Sequence, residues 1–158
     1  MQRIKDAAAE FLAARRVAVT GVSREAKDHG GNVVYKRLRE RGYEVFAVNP
    51  NAGEVEGDRC YESLSEIPGA VDGVVIATRP ERAEGTMHEC ADLGIKHVWM
   101  HRGPGPGSVS KAAADYGRER GIAVIDGGCP CMFGPTGDPG HKAMRTVLTL
   151  TGNVPRRV

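Results

Sequence analysis

The sequence predicts an α/β protein: a single doubly wound, Rossmann-like domain with a five-stranded, mainly parallel sheet and helices on both faces. Short runs of apolar and β-branched residues alternate with helical segments along the chain. These runs are almost continuously apolar, as in strands that are buried on both faces. Right-handed crossovers between successive parallel strands favour the doubly wound arrangement. A length of 158 residues suits one domain, so we expect one domain over 1–158 with a core over about 10–145.

The first element is a short amphipathic helix in the segment MQRIKDAAAEFLAARR. Its apolar residues lie on one side at helical spacing; they are Ile4, Ala8, Phe11 and Leu12. Charges throughout this segment argue against a signal peptide, so we expect a cytoplasmic protein. In that compartment the cysteines are expected to be thiols; they are Cys60, Cys90, Cys129 and Cys131.

The strands follow as apolar runs that end in turn residues. The five predicted strands lie in 15–23, 43–50, 70–80, 95–103 and 122–126. Helices are predicted at 30–42, 81–94, 108–121 and near 140–152. Ser108 is the expected N-cap of the helix at 108–121. The segment 51–69 departs from this alternation, and its composition predicts turns and a short helical piece.

Composition excludes two kinds of partner. The net charge is only +2, with both signs interspersed, whereas nucleic-acid binding usually shows a concentrated basic face. Aromatic residues make up only 5% of the chain, which disfavours base-stacking platforms. No run approaches the roughly 20 apolar residues of a membrane span. We therefore expect no nucleic acid and no membrane among the partners.

Glycine, proline and small polar residues follow all five predicted strands, at the edge where open parallel sheets bind ligands. These segments are 21–23, 49–51, 78–80, 100–103 and 127–130. In the first of them, Gly21 can bring the main chain close to a phosphate. Gly30 opens the following helix, whose N-terminus suits an anion. The sequence therefore predicts a nucleotide-like, anionic ligand at this edge.

The first loop is not the G-x-G-x-x-G of dinucleotide-binding proteins, because eight residues separate Gly21 from Gly30. Asn49 also ends the second strand where NAD enzymes place an acidic residue. NAD is therefore disfavoured. NADP is less disfavoured, because its 2′-phosphate could contact a basic side chain of this edge. The candidates are Arg24, Lys27 and Arg79.

A family resemblance appears in motifs that span about residues 10–145. VAVTGVS, VNP, CYESLSEIP and HVWM occur in this order, and a fifth strand then runs into a cysteine-containing loop. With these motifs the chain resembles the CoA-binding domain family. These small stand-alone bacterial Rossmann proteins are similar to the CoA-binding domain of the succinyl-CoA synthetase alpha subunit.

The resemblance implies coenzyme A as the ligand and assigns residues to it. It assigns Gly21, Val22 and Ser23 to the diphosphate, and Asn49 and Pro50 to the adenosine. It assigns Thr78, Arg79 and Pro80 to the adenine side. Met100, His101 and Cys129 are assigned to the path of the pantetheine arm. Arg24, Lys27 and His29 add positive charge for the phosphates, and Gly30 begins the helix beside them. Many family members have a basic residue where this chain has Asn51, so one phosphate contact is open.

Two classes of function remain. The first is a non-enzymatic module that binds CoA or an acyl-CoA for regulation or carriage. The second is an NADP-dependent oxidoreductase or an acyl-CoA-using enzyme subunit. His101 is a candidate general base or, alternatively, a loop histidine that bonds a phosphate. His141 resembles a phosphohistidine position or caps the last helix. No P-loop and no complete catalytic set are present, which favours the first class, with a homodimer or another protein as a further partner.

The C-P-C segment leaves several chemistries open for Cys129 and Cys131. Zinc usually takes four ligands, and only His141, distant in sequence, could join the pair. A redox pair more often has the spacing C-x-x-C. A nucleophilic thiol beside the CoA thiol is a third interpretation. The expectation is that Cys129 packs as a small apolar residue under the ligand, with no metal.

Overall fold

A seven-stranded sheet organises the fold in the computed structural model, which describes residues 1–25 and 29–158. The strands are β1 (Arg16–Thr20), β2 (Glu44–Val48), β3 (Glu54–Val55), β4 (Asp58–Tyr61), β5 (Gly73–Ile76), β6 (His97–Met100) and β7 (Ala123–Asp126). Their order across the sheet is β3-β4-β2-β1-β5-β6-β7. All neighbouring strands are parallel except the antiparallel pair β3–β4. The strand order reverses beside β1, as the doubly wound prediction requires.

The prediction of five strands was wrong in number, because the segment 51–69 contributes a hairpin. Glu54 pairs with Arg59 and Val55 pairs with Asp58. The two residues between them, Glu56 and Gly57, have φ values of 51° and 79°, as type I′ hairpin turns require. The hairpin lacks a long apolar run because both strands are short and alternate buried with exposed residues. It therefore escaped a search for continuous apolar strands.

The helices lie close to their predicted positions: α1 (Ile4–Leu12), α2 (Gly30–Glu40), α3 (Pro80–Asp92), α4 (Lys111–Glu119) and α5 (Pro139–Thr151). The four apolar residues predicted for one side of α1 are all buried. The predicted N-cap of α4 was wrong. The hydroxyl of Ser110 accepts a hydrogen bond from the Ala113 N–H, whereas Ser108 is buried and its main-chain N–H donates to the His101 carbonyl at 2.7 Å.

Helices cover both faces of the sheet, as predicted, and each face has its own core. One core joins α1 and α2 to strand residues such as Val19 and Trp99. The other joins α3 and α4 to residues of alternate parity, such as Ala18 and Met100. This alternation follows from the period of two in a strand. The fully buried Trp99 donates its indole N–H to the Gly127 carbonyl at 2.9 Å, and this bond anchors the chain just after β7.

The last helix is the least covered of the five. Leu148 of α5 is buried, whereas Met144, Val147 and Leu150 are exposed. Among the described residues, no helix combines the length and the apolar character needed to cross a membrane.

Candidate functional site at the carboxyl edge of the sheet

A cavity of about 480 Å³ opens beyond the carboxyl ends of β1, β2 and β5. Because these strands are parallel and in register, with Thr20 beside Val48 and Ile76, the loops that leave them meet at one place. Seven of the residues predicted for the ligand line this cavity: Gly21, Ser23, His29, Asn49, Pro50, Thr78 and Arg79. It also has lining residues that the sequence analysis did not single out, including Glu62, Ser63, Leu64, Arg82, Thr86 and Glu89.

Gly21 allows two of these loops to approach each other. Its φ is +75°, and a Cβ atom there would lie 2.5 Å from the Ala77 carbonyl oxygen. A side chain is therefore excluded both by the backbone conformation and by the end of β5. The Gly21 N–H donates to the Val48 carbonyl at 3.1 Å, which ties the same loop to β2. The glycine thus shapes the floor of the cavity by close main-chain packing.

Two asparagines hold the loop after β1 in place. The fully buried Asn32 of α2 accepts from the Ser23 N–H at 2.8 Å and donates to the Ser23 carbonyl at 2.9 Å. Asn49 donates to the Val22 carbonyl at 2.9 Å. Sequence reasoning missed Asn32, although a polar amide among the apolar residues of GGNVV was a usable signal. Together these bonds fix the main chain that faces the cavity.

The N-terminal ends of two helices border the cavity. α2 begins after His29 and α3 begins after Arg79, and within the described residues neither N-cap side chain bonds to the first turn of its helix. The free N–H groups and the positive end of a helix dipole favour an anion. Arg79 and Arg82 are exposed at the same opening and add positive charge. This part of the edge is therefore suited to a phosphate-bearing ligand.

Thr78 offers a further polar group to the cavity. Its Oγ1 atom is buried and has no hydrogen-bond partner among the described residues. A buried hydroxyl without a partner is unfavourable, so a ligand that bonds to it would remove a cost of roughly 1–3 kcal/mol. On the opposite wall, Glu89 accepts from the Leu64 N–H at 2.6 Å and so orders the chain between β4 and β5.

The structure places the other predicted residues away from the cavity lining. Val22 and Met100 are fully buried, and Met100 packs in the core under α3 and α4. Arg24 is exposed and Pro80 begins α3. Lys27 lies outside the described residues.

Gly30, His101 and Cys129 belong to a neighbouring part of the edge. A Cβ atom at Gly30 would lie 2.7 Å from Cε1 of His101, so the imidazole rests on the first residue of α2. Burial, with a smaller contribution from nearby His141, lowers the pKa of His101 to about 4. His101 is therefore neutral near pH 7, when it can donate or accept a hydrogen bond but brings no charge to a phosphate.

Beside His101, two cysteines and a histidine come together. The sulfur atoms of Cys129 and Cys131 and a ring nitrogen of His141 all lie within 4.8 Å of one another. The hydrogen bond from the Cys129 thiol, and then the Arg37 guanidinium, lower the pKa of Cys131. The same hydrogen bond, together with burial, raises the pKa of Cys129. The sequence analysis treated His141 as distant, and the fold brings it to the pair.

Asp138 organises this cluster from the N-terminus of α5. One carboxylate oxygen of Asp138 accepts a hydrogen bond from the His141 main-chain N–H at 2.9 Å. The other carboxylate oxygen lies 2.5 Å from Nδ1 of His141. Arg37 of α2 lies 2.8 Å from that second oxygen. The His141 N–H and then Arg37 hold the pKa of Asp138 well below its usual range. Asp138, rather than His141, therefore caps the helix.

A second cavity, of about 380 Å³, lies at the opposite end of the sheet. Residues of α1, the start of β7 and both chain termini line it, among them Phe11, Ala123 and Val158. Among the described residues, this lining includes none of those predicted for the ligand.

Comparison with known proteins finds a family, sequence relatives and similar structures. The sequence model described as CoA binding domain matches residues 15–135, well over half of the chain. The uncharacterized protein YneT of Bacillus subtilis is 32% identical over 111 residues, which cover 70% of this chain and 78% of that protein. A hypothetical protein from Pyrococcus horikoshii has a similar structure, with a TM-score of 0.72 and 25% identity over 82% of this chain and 92% of that one.

A larger enzyme subunit is also similar. The alpha subunit of the ADP-forming acetate–CoA ligase II of Pyrococcus furiosus is 28% identical over 149 residues, which cover 94% of this chain. The chain spans only 26% of that subunit's length. The similarity therefore concerns one domain of the larger protein.

Proposed function

This chain belongs to the CoA binding domain family, and from that membership we propose that it binds coenzyme A, free or acylated, in the cavity at the carboxyl edge of the sheet. We further propose that it acts as a binding or regulatory module rather than as an enzyme.

One observation carries the proposal: the N-termini of α2 and α3 meet at a single cavity that also has Arg79 and Arg82 at its opening. CoA has a diphosphate and a 3′-phosphate, so it needs several positive or N–H donor groups within a short distance. Main-chain N–H groups and arginines recognise phosphate oxygens through charge-assisted hydrogen bonds. This supports a ligand with more negative charge than NAD.

The proposed binding mode follows the cavity from its floor to its rim. The diphosphate lies over Gly21 and Ser23 at the start of α2. Val22 contributes only main-chain atoms, since its side chain is buried. The adenosine lies along the wall beside Asn49, whose own amide is already bonded to the loop. The Thr78 hydroxyl, for which residues 1–25 and 29–158 supply no hydrogen-bond partner, bonds to the ligand. The other rim residues in this mode are Pro50 and Arg79, and Pro80 follows Arg79 as the first residue of α3.

The pantetheine arm then runs toward β6 and β7. His101 borders this path as a neutral hydrogen-bonding group. Met100 and Cys129 lie beneath it and contribute packing rather than polar contacts, because both are almost completely buried. The remaining basic residues proposed for the phosphates are Arg24, Lys27 and His29.

A second candidate is a role as the CoA-binding part of an acyl-CoA-using enzyme. The observation that favours it is the similarity to the ADP-forming acetate–CoA ligase subunit over 94% of this chain. In that case the catalytic groups would come from another protein. The NADP-dependent oxidoreductase and a homodimer or other protein partner stay predictions.

A ligand panel tests the proposal. Purified protein is heated with CoA, acetyl-CoA, NAD, NADP or ATP, and the unfolding temperature is recorded. Binding at about a hundredfold excess over Kd stabilises a protein by about 2.7 kcal/mol. We expect a rise in unfolding temperature with CoA or acetyl-CoA. A rise in unfolding temperature with NADP alone would overturn the proposal. Release of free CoA from acetyl-CoA would show that the protein is an enzyme rather than a binding module.

A further inference from the structure

We propose that Cys129, Cys131 and His141 form a binding site for Zn²⁺ or a similar thiophilic divalent cation, with a fourth coordination position left open. The first support is the donor set itself. Two sulfurs and an imidazole nitrogen, the ligands that zinc prefers, lie within 4.8 Å of one another. Tetrahedral coordination at about 2.3 Å for sulfur and about 2.0 Å for nitrogen brings ligand atoms to about 3.5–3.8 Å. The cluster therefore needs to contract by only about 1 Å.

The main chain around both cysteines is already fixed. The C-P-C segment enters a short 3₁₀ turn over Pro130–Met132, and the Met132 N–H donates to the Cys129 carbonyl at 2.9 Å. The buried Thr136 hydroxyl donates to the Pro130 carbonyl at 2.7 Å. The Asp138 N–H donates to the Cys131 carbonyl at 3.3 Å, which joins this turn to the start of α5. The two parts of the chain that supply the ligands are therefore held together before any ion binds.

The surroundings of His141 match those of a metal ligand. Metal-binding histidines usually donate their second ring nitrogen to a carboxylate, which orients the ring and fixes its tautomer. Here Asp138 lies 2.5 Å from Nδ1, so Nε2 is the nitrogen that we assign to the ion. Arg37 lies 2.8 Å from the same carboxylate and also donates to the Thr136 carbonyl at 2.8 Å. The carboxylate is thus held from two sides.

Charge also fits a divalent cation. Two thiolates and a neutral imidazole balance the two positive charges of the ion, and Arg37 balances Asp138. A set of two cysteines and one histidine leaves a fourth zinc position for water or another small ligand, as in catalytic zinc sites. None of the three ligands lines the cavity proposed for CoA, but Cys129 lies beneath the proposed path of the pantetheine arm, so metal uptake is measured without CoA.

The first experiment measures metal uptake by the reduced, chelator-treated protein. Zn²⁺ stoichiometry is determined by elemental analysis, and Co²⁺ is used as a spectroscopic probe. We expect about one ion per chain and thiolate-to-cobalt charge-transfer bands with the d–d intensity of a tetrahedral site. Cys131→Ala is expected to abolish both signals. Cys90→Ala, which removes an equally buried thiol from α3, is the matched control and is expected to retain them.

The second experiment substitutes the half-buried ligand of the three rather than a fully buried cysteine. His141→Gln is expected to lose Co²⁺ binding, whereas His88→Gln on α3 is the control and is expected to keep it. Asp138→Asn retains an N-cap acceptor but loses the carboxylate, and we expect its zinc affinity to fall about 10–100-fold.

Three results would overturn the metal site. They are no uptake by the reduced wild-type protein, full uptake by both Cys131→Ala and His141→Gln, and a cobalt spectrum without thiolate bands. CoA binding is measured on the same samples by calorimetry. In the wild-type protein, CoA binding without metal uptake refutes this inference alone, and metal uptake without CoA binding refutes the proposed function alone.

Discussion

The two halves of the carboxyl edge differ in exposure and in the chemical groups that they present. Beyond β1, β2 and β5 the edge is an open cavity whose potential ligand groups are main-chain N–H groups, exposed arginines and the Thr78 hydroxyl, which has no hydrogen-bond partner in the described part of the chain. Beyond β6 and β7 it is a closed cluster, in which Cys129, Cys131 and His141 are held by Asp138 and its partners. The first half suits a large, hard anion, and the second suits a small, soft cation. One sheet edge can therefore carry two unlike sites, because each strand end contributes its own loop.

The largest effect is expected where the cavity floor is closest packed. Gly21→Ala combines a φ of +75° with a Cβ atom 2.5 Å from the Ala77 carbonyl, so we expect a loss of about 2–4 kcal/mol in the free energy of unfolding. Urea denaturation measures it. Gly42→Ala is the control, since its φ is +84° but no described residue outside its chain neighbours comes within 4 Å of the added Cβ atom, and its expected loss is about 1–2 kcal/mol. Equal losses would show that Gly21 does not pack the two loops together.

Asn32→Ala is expected to loosen the cavity while leaving the cysteine cluster in place. The substitution removes the bonds that hold both main-chain groups of Ser23, and the expected cost is about 1–3 kcal/mol in the free energy of unfolding. Calorimetry is expected to show weaker CoA binding, and cobalt spectra are expected to be unchanged. A changed cobalt spectrum would mean that the two halves are coupled.

Removal of a positive charge proposed to meet a phosphate is expected to affect only the open half. Arg79→Ala and Lys27→Ala each are expected to weaken CoA binding several-fold at low salt and less at high salt, because ions screen exposed charges. Isothermal calorimetry at two salt concentrations measures the change. Arg120→Ala, on the exposed end of α4, is the control. An equal loss at both salt concentrations would argue against a phosphate contact at the substituted residue.

The smallest effect is expected at the β3–β4 hairpin, which borders the open half. Hydrogen bonds from Tyr35 and then Arg39 lower the pKa of Asp58 in the folded protein. The Asp58 carboxylate therefore stabilises the fold fully at pH values above its pKa in the unfolded chain. This stabilisation is lost as the pH falls through the pKa of Asp58 in the folded protein. Both partners of the Asp58–Arg39 pair are well exposed, and we expect less than about 1 kcal/mol. Asp58→Asn is expected to flatten the acid side of the stability profile. An unchanged profile would assign the acid sensitivity to other carboxylates.

Sequence periodicity was sufficient to predict the five apolar strands and the helices, but not the β3–β4 hairpin or the N-cap of α4. The five apolar strands and the helices between them were predictable because burial on both faces demands long apolar runs. The hairpin of β3 and β4 was missed because its stability comes from a two-residue turn and one buried face. Ser108 and Ser110 are both plausible caps by type. Only the path of the chain after β6 makes Ser110 the N-cap and buries Ser108.

The candidate site divides in the same way. The residues that follow β1, β2 and β5 could be placed together from sequence, because parallel strands end at a common edge, and seven of them line one cavity. The burial of Val22 and Met100 could not be predicted in this way, because it depends on which hydrophobic core each side chain enters.

By itself, the sequence determined the α/β class and, through its motifs, the family to which the chain belongs, and it predicts the carboxyl edge as the ligand site. These properties are encoded locally, in apolar runs, turn residues and short motifs. The tertiary structure alone decided that Asn32 holds the loop at Ser23 and that His141 meets Cys129 and Cys131. The physical reason is that such contacts join segments whose separation along the chain says nothing about their distance in the fold.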